Sequence, residues 1–355
     1  MCAAVPDSPG VTIRKLEAGD APSLVRCVVR CYGDSYPERA FYDADEIRSL
    51  LSRELLHSAV ALDRRGEVVA HLGLVLERLG ARTGDMVLGI VDSQFRGRQL
   101  ILRTVACVAQ EFARLGLIGL YQFATTAHAI SQRLTVATSS VETGVLLGYL
   151  PEATSSMQRP KDPLGWRIPS IMLYLPLREA PARKACVPGR YREVASGIYS
   201  RIGLERQLVE VDAELPDAPT RLRLLLETPR SLARIVVERA GRDLVPEVGK
   251  LLREVASSDA QIVHLDLRLS DPSTPKSVEL LRGLGFFFGG ILPELRDGDV
   301  MRLQSTREEP RDRSGIEVFS GVGERLLDFV LDDREVVLGE SSPASRRTPE
   351  PWRRG

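Results

Sequence analysis

The sequence has little of what marks a secreted, disulfide-rich or metal-binding protein. Its 355 residues include only five cysteines and four histidines. An odd number of scattered cysteines argues against a disulfide framework and favours a reducing compartment. The cysteines are Cys2, Cys27, Cys31, Cys107 and Cys186. Cys27 and Cys31 are spaced to share a helix face, but with no histidine or third cysteine nearby we interpret them as core residues and predict no metal site.

The chain also lacks a net charge and a long apolar run. Its 48 basic and 48 acidic residues cancel, which argues against a duplex nucleic acid or an anionic membrane as partner. No apolar run approaches the roughly 20 residues that cross a bilayer. The segment 1–10 has neither the basic start nor the apolar centre of a secretory signal. A cytoplasmic location is therefore expected.

What the chain does have is enough apolar residues, 43% of the total, for two domains of ordinary size. Apolar spacing in the first half predicts an alternation of helices and strands. The predicted elements are helices from Ala21, at about 43–56, after Gly97 and at 129–137, and strands at 59–62, 68–76, 86–91, 117–124, 145–150 and 171–175.

After a segment at 178–189 that reads as a linker, the second half follows nearly the same order of elements. The predicted elements are helices at 190–202, 244–256, 275–284 and 321–331, and strands at 208–214, 221–227, 232–238, 262–267 and 300–303. Phe286, Phe287 and Phe288 are expected in a further buried strand. The segment 340–355 is rich in serine, proline and arginine and is predicted to be disordered.

The most informative stretch is 87–115, where an apolar strand runs into a turn carrying Arg96, Gly97 and Arg98 and then into a long amphipathic helix. A helix that begins after such a turn presents backbone N–H groups and the positive end of its dipole to an anion. A diphosphate on a nucleotide-like cofactor fits this arrangement.

By its element order and this strand, turn and helix, the first half resembles the GNAT superfamily (GCN5-related N-acetyltransferases). The second half resembles the same fold more faintly. The resemblance implies an α/β (α+β) fold with two GNAT-like mixed-sheet units flanked by helices. The expected boundaries are 11–177 for an acyl-CoA-binding domain, 178–189 for a linker and 190–335 for a degenerate tandem domain. The segment 238–244, where a second phosphate loop would lie, lacks the Arg-Gly character.

The resemblance also assigns candidate residues. Those expected to contact acetyl-CoA or another acyl-CoA are Ile90, Val91, Arg96, Gly97, Arg98, Gln99, Leu100, Ile101, His128 and Ser131. Weak catalytic candidates are His71, Glu77 and His128, for which a buried histidine, a solvated carboxylate and a helix cap are the structural alternatives. Tyr32, Tyr36 and Tyr42 either line the acceptor pocket or cover the edge of the core.

Some residues depart from the family pattern. Gln99 and Ile101 stand where small residues allow the backbone to approach phosphate closely. Thr135 stands where many members have a tyrosine that protonates the leaving thiolate, and Ser139 and Ser140 replace a Gly-Phe pair. The expected function is transfer of an acyl group to a small-molecule or peptide amine by direct attack in a ternary complex. The alternative is a non-catalytic module that senses a CoA ester or binds a protein, and a homodimer is left open.

Overall fold

The computed structural model of the protein describes residues 10–152, 154, 166–296, 298–307, 313 and 315–340. Its helices are α1 (Ala21–Tyr32), α2 (Ala44–Ser52), α3 (Leu100–Arg114), α4 (Ile130–Ala137), α5 (Arg192–Ile202), α6 (Leu244–Ala256), α7 (Thr274–Arg282) and α8 (Gly321–Glu340). Its strands are β1 (Thr12–Lys15), β2 (Leu56–Leu62), β3 (Val68–Val75), β4 (Thr83–Val91), β5 (Gly119–Thr125), β6 (Val141–Leu150), β7 (Ile168–Pro176), β8 (Arg183–Cys186), β9 (Arg206–Val209), β10 (Arg221–Glu227), β11 (Leu232–Arg239), β12 (Ile262–Arg268), β13 (Phe287–Leu292) and β14 (Val300–Thr306).

The described residues form two compact units. The first holds the residues up to Gln122 together with 154 and 176–178, and the second holds 123–152, 166–175 and 179–340. Each contains mixed β-structure and helices, which confirms the predicted α/β class. The predicted boundaries 11–177 and 190–335 rest on a repeated order of elements. The division into compact units does not test that repeat, so these boundaries stay predictions.

In the first unit the strands are paired in the order β1-β2-β3-β4-β5. The pairs are antiparallel except for β4 with β5, which is parallel. Alternate residues of β2 pack into two different hydrophobic clusters, because successive side chains of a strand point to opposite faces of the sheet. Val60 packs in a cluster with residues of α1 and α2, whereas Ala61 packs with Leu100 at the start of α3. The sheet is therefore flanked by helices on both faces.

The predicted first helix begins at Ala21 as expected, and Cys27 and Cys31 both lie on its buried face. The second predicted helix is shorter than expected. It ends at Ser52 because Glu54 takes a positive φ of 54° and Leu56 already belongs to β2. The helix after Gly97 is confirmed as α3.

In the second unit the main sheet has the order β7-β6-β13-β14-β12-β11-β10. Among the strand pairs formed by β10 to β14, the pair of β11 with β12 is parallel and the others are antiparallel. Strand β10 and helix α6 have the predicted bounds, and Phe287 and Phe288 are buried at the start of β13. Helix α8 extends beyond the predicted 321–331 to Glu340.

The segment expected to be a linker contains β8, which pairs in parallel with β9 in a separate two-stranded sheet. Ala185 and Cys186 of β8 are buried. Strand β9 ends at Val209, short of the predicted 214. Residues 341–355 of the predicted disordered tail lie outside the described residues.

Candidate active site

Strand β4 contains a bulge at Leu88. His71 of β3 pairs with Ile90, and Gly73 pairs with Val87, so β4 carries one more residue than β3 between these pairs. Leu88 takes a positive φ of 49°. A leucine adopts this conformation only at a cost of about 1 kcal/mol or more, so its surroundings must hold it there.

Two side chains hold the Leu88 backbone. The Leu88 N–H donates to the hydroxyl oxygen of Tyr36 at 3.0 Å, and Nδ1 of His71 lies 2.9 Å from the Leu88 carbonyl oxygen. Since a carbonyl can only accept, Nδ1 carries the proton and Nε2 accepts from the Ser58 hydroxyl, 3.1 Å away. We call this arrangement of Tyr36, His71 and Ser58 the bulge clamp.

His71 is fully buried, and burial lowers its pKa to about 4. Both of its ring nitrogens are used in the clamp. The imidazole is therefore neutral at pH 7 and acts on the β4 backbone. His71 is thus a buried histidine that holds the β4 backbone, which is the structural alternative to a role as base.

We expect stability to fall as the pH drops from 6.5 to 4 because of His71. The unfolded imidazole takes up a proton near pH 6.5, whereas the folded one does so only near 4. The unfolded state therefore binds more protons in this range, which costs about 3 kcal/mol of unfolding free energy. Urea denaturation should show a loss between pH 7 and pH 4 that is larger by this amount in the wild type than in His71→Phe. Equal losses, together with an NMR titration of His71 near 6.5, would contradict the assignment.

The three tyrosines of the predicted substrate set lie together. The Tyr36 N–H donates to the Tyr42 hydroxyl at 2.9 Å, and the rings of Tyr32 and Tyr36 are 5.0 Å apart. Burial raises the pKa of Tyr32 to about 12. All three pack against the cluster formed by α1, α2 and the sheet. Tyr36 connects this group to the bulge, a link that the sequence did not predict.

Beyond the bulge, β4 leaves its parallel neighbour. The β4–β5 register joins Thr83–Asp85 to Gly119–Tyr121, whereas β4 continues to Val91. The predicted contact residues Ile90 and Val91 lie in this last part of β4, where Ile90 is buried and Val91 half-buried. Asp92 then ends the strand, and its carboxylate accepts from Arg30 at 2.6 Å.

The predicted phosphate loop leads from Asp92 into α3. Gly97 and Gln99 both have left-handed backbones, with φ of 78° and 55°. Arg96 and Arg98 are exposed, and the Arg98 guanidinium lies 4.9 Å from the Phe95 ring centre. Helix α3 begins at Leu100 with Gln99 as its N-cap residue and no side-chain capping hydrogen bond. Leu100 is buried and Ile101 half-buried, so the helix start presents backbone next to two cationic side chains.

The turn in 238–244, where the sequence predicts the position of a second phosphate loop, is filled by its own chain. The Gly241 N–H donates to the Thr220 hydroxyl at 3.0 Å, and the Arg242 N–H donates to the Pro216 carbonyl at 3.1 Å. The Asp243 carboxylate accepts from the Thr220 N–H at 2.8 Å. A Cβ at Gly241 would lie 1.8 Å from the Ala218 carbonyl oxygen. Backbone N–H groups of the kind that bind an anion in a phosphate loop therefore donate to other groups of the same turn and its neighbouring segment.

The remaining candidates lie elsewhere. Glu77 is exposed directly after β3 and Leu76. His128 and Ser131 belong to the second unit, at the start of α4. Burial lowers the pKa of His128, and its Nδ1 has no partner among the described residues. The Thr135 hydroxyl donates to the Gln132 carbonyl at 2.9 Å, within its own helix.

Within the described residues there is no cluster of three or more histidine, cysteine, aspartate or glutamate side chains that could hold a metal ion. In the same part of the chain, no helix has the length and apolarity needed to cross a membrane.

Comparison with protein-family models finds no match, and neither does comparison with curated proteins. Solved structures do match. The chain is similar to a ribosomal-protein-S5-alanine acetyltransferase from Vibrio fischeri, with 14% identity, TM-score 0.38, and coverage of 49% of this chain and 98% of that one. It is also similar to a GCN5-related N-acetyltransferase from Kribbella flavida, with 18% identity, TM-score 0.38, and coverage of 48% and 100%. A third match is the ribosomal-protein-S18-alanine N-acetyltransferase from Escherichia coli, with 17% identity, TM-score 0.37, and coverage of 48% and 96%.

Proposed function

We propose that the segment 11–177 is an N-acyltransferase that moves an acetyl or other acyl group from acyl-CoA to an amine. The observation that carries the proposal is the entry into α3. Left-handed Gly97 and Gln99 and an uncapped helix start place backbone N–H groups beside the exposed Arg96 and Arg98. Backbone donors, a helix dipole and guanidinium groups together favour a diphosphate.

Strand β4 supplies the second part of the proposal. The bulge clamp fixes the peptide of Leu88, and with it the direction of the strand that continues through Gly89 and Ile90. A fixed backbone N–H near a thioester carbonyl favours the negative charge that develops on its oxygen during attack. In the proposed reaction the amine nitrogen attacks the thioester carbon, the C–S bond breaks, and the leaving thiolate takes up the proton that the nitrogen loses, so that the products are an amide and free CoA thiol.

No acyl-enzyme intermediate is part of this proposal, since orientation of the amine supplies much of the rate. His71 does not transfer the proton because both of its ring nitrogens are engaged in the clamp. The acceptor is proposed to be a small-molecule or peptide amine.

We also propose that the segments 11–177 and 190–335 are tandem copies of one fold, of which the second has lost its cofactor loop. The support is the repeated order of elements and the filled turn at Gly241. One observation favours the non-catalytic alternative for the segment 11–177. The hydroxyl of Thr135, at the position of the family's tyrosine acid, is used within α4.

Charge reversal in the loop tests the function. In the double variant Arg96→Glu and Arg98→Glu we expect the affinity of the full chain for acetyl-CoA to fall about 100-fold, since each charged contact to phosphate contributes roughly a factor of ten. Isothermal titration calorimetry measures this. The matched control is Arg64→Glu with Arg65→Glu, two exposed arginines in the β2–β3 turn of the same unit, which should leave the affinity unchanged.

The outcomes separate the two functions. Binding of acetyl-CoA with thiol release in the presence of a panel of amines supports the enzyme, whereas binding without thiol release supports the sensor. Failure of the wild-type chain to bind acetyl-CoA at millimolar concentration would exclude both.

A further inference from the structure

The second unit has a polar sheet face that the proposed function does not use. In the register of β11, β12 and β14, Arg234 lies beside His264, and Asp266 lies beside Arg302. His264 and Asp266 are two residues apart, so the side chains of all four lie on one face of the sheet. His264, Asp266 and Arg302 are buried.

Most of the charges on this face have defined partners. Arg302 binds Asp266 through two hydrogen bonds of 2.7 and 2.8 Å. Glu227 is shared, because Arg234 and Arg230 both donate to it. The Nε of Arg234 is buried without a partner among the described residues.

His264 is the unexplained member of the cluster. It is fully buried, its ring is stacked on Tyr149 with an interplanar angle of 9°, and neither ring nitrogen has a partner in the part of the chain that the structure describes. A neutral imidazole has one N–H donor, and leaving it unpaired in the interior costs free energy. Burial and the charges of the arginines around it, Arg302, Arg234, Arg230 and Arg167, lower its pKa well below the usual value, so the ring is a neutral donor and not a cation.

One kind of ligand satisfies both deficits. We infer that this face of the second unit binds a phosphate group, free or as a phosphomonoester, held by the ring N–H of His264 and by Arg234. An anion supplies the acceptor that the imidazole lacks and an acceptor for the unpaired Nε of Arg234. A tetrahedral phosphate offers acceptor oxygens in several directions, which suits donors that come from two neighbouring strands and from Arg230 above Tyr149.

The site has a floor and a rim. His264 and Asp266 form the buried floor, whereas the side chains of Arg234, Arg230 and Glu227 remain 23%, 16% and 23% exposed. The side chains of Arg234, Arg230 and Glu227 thus form the part of this face that solvent reaches. The inference does not depend on acyl transfer by the first unit.

Phosphate titration of the full chain tests the inference. Arg96→Gln and Arg98→Gln are introduced first, so that inorganic phosphate cannot bind at the loop of the first unit. In this background we expect calorimetry to show binding of phosphate and of glycerol phosphate, and weaker binding of acetate. Adding Arg234→Gln or His264→Phe should weaken phosphate binding at least tenfold. Adding Arg223→Gln, which removes a surface pair with Glu238 on β10 and β11, should not.

The variant His264→Phe also distinguishes a ligand-binding role of His264 from a purely structural one. The phenyl ring keeps the stack on Tyr149 and removes an unpaired polar group, so the variant without ligand should be as stable as its parent or more stable. Loss of phosphate binding with retained stability supports a ligand site. Three results would each overturn the inference. They are absence of phosphate binding at about 10 mM phosphate, binding of acetate as strong as that of phosphate, and unchanged phosphate binding in His264→Phe.

Discussion

Replacing Asp333 by alanine is expected to destabilise the second unit by about 3–5 kcal/mol. Asp333 lies on α8 and its carboxylate accepts three hydrogen bonds. The donors are Arg282 of α7 at 2.5 Å, the hydroxyl of Tyr191 at 2.7 Å and the N–H of Phe288 at 2.8 Å. The carboxylate thus joins three separate parts of the unit to the C-terminal helix.

The expected loss of stability comes from the buried polar groups that lose their partner when Asp333 is replaced. The Arg282 side chain is only 2% exposed, so without Asp333 its buried charge loses this carboxylate, and the Phe288 N–H loses its acceptor. Urea denaturation measures the loss. Asp328→Ala is the matched control, because Asp328 lies on the same helix but forms an exposed pair with Arg313 at 2.9 Å. It should change stability by less than about 1 kcal/mol. A similar small change in Asp333→Ala would show that the buried pair does not hold α8.

Replacing Gly144 by valine should cost about 4 kcal/mol or more. Gly144 of β6 pairs with Gly290 of β13. A Cβ at Gly144 would lie 2.2 Å from the Gly289 carbonyl oxygen and 2.5 Å from the Gly290 Cα. Both are backbone atoms that cannot move aside by changing a rotamer, so the two strands would have to separate.

The same junction depends on Gln304 of β14, whose side chain takes the place of backbone pairing. It accepts from the Leu147 N–H at 2.8 Å and donates to the carbonyls of Val145 and Phe288 at 2.8 and 3.0 Å. Separation of the strands by a side chain at Gly144 would break these buried hydrogen bonds too, which adds to the cost.

Thermal and urea unfolding of Gly144→Val measure this prediction. Gly189→Ala serves as the control, since a Cβ there would meet no atom within 4 Å and the backbone φ is not in the left-handed region. A Gly144→Val protein with wild-type stability would mean that β6 and β13 do not approach as closely as the structure describes.

Local periodicity was sufficient to predict the elements that bury one face. Helix α6 and strand β10 have the predicted bounds, and α3 begins three residues after Gly97. Strand β8 could not be predicted in this way, because Arg183 and Lys184 give it no apolar alternation. Its backbone is stabilised by β9, about twenty residues later in the chain.

The candidate site also contains a feature that local sequence patterns do not predict. Its loop was predictable because Arg96, Gly97 and Arg98 are adjacent, whereas the bulge at Leu88 has no glycine at the left-handed position. The bulge depends on Tyr36, 52 residues earlier, and on His71, 17 residues earlier. Such distant partners leave no local pattern. The sequence therefore offered both a base and a buried histidine as interpretations of His71, and the structure shows the buried histidine, in the bulge clamp.

The pairing of β6 with β13 limits how the chain can be divided. A truncated chain that stops within 178–189, where the sequence suggests a linker, would keep β6 and lose β13. The edge of β6 would then expose backbone N–H and C=O groups along a strand whose residues from Glu142 to Leu147 are all buried in the full chain. Edges of this kind pair with other molecules. The first half made alone is therefore an aggregation hazard, and its function is best studied by point substitution in the full chain.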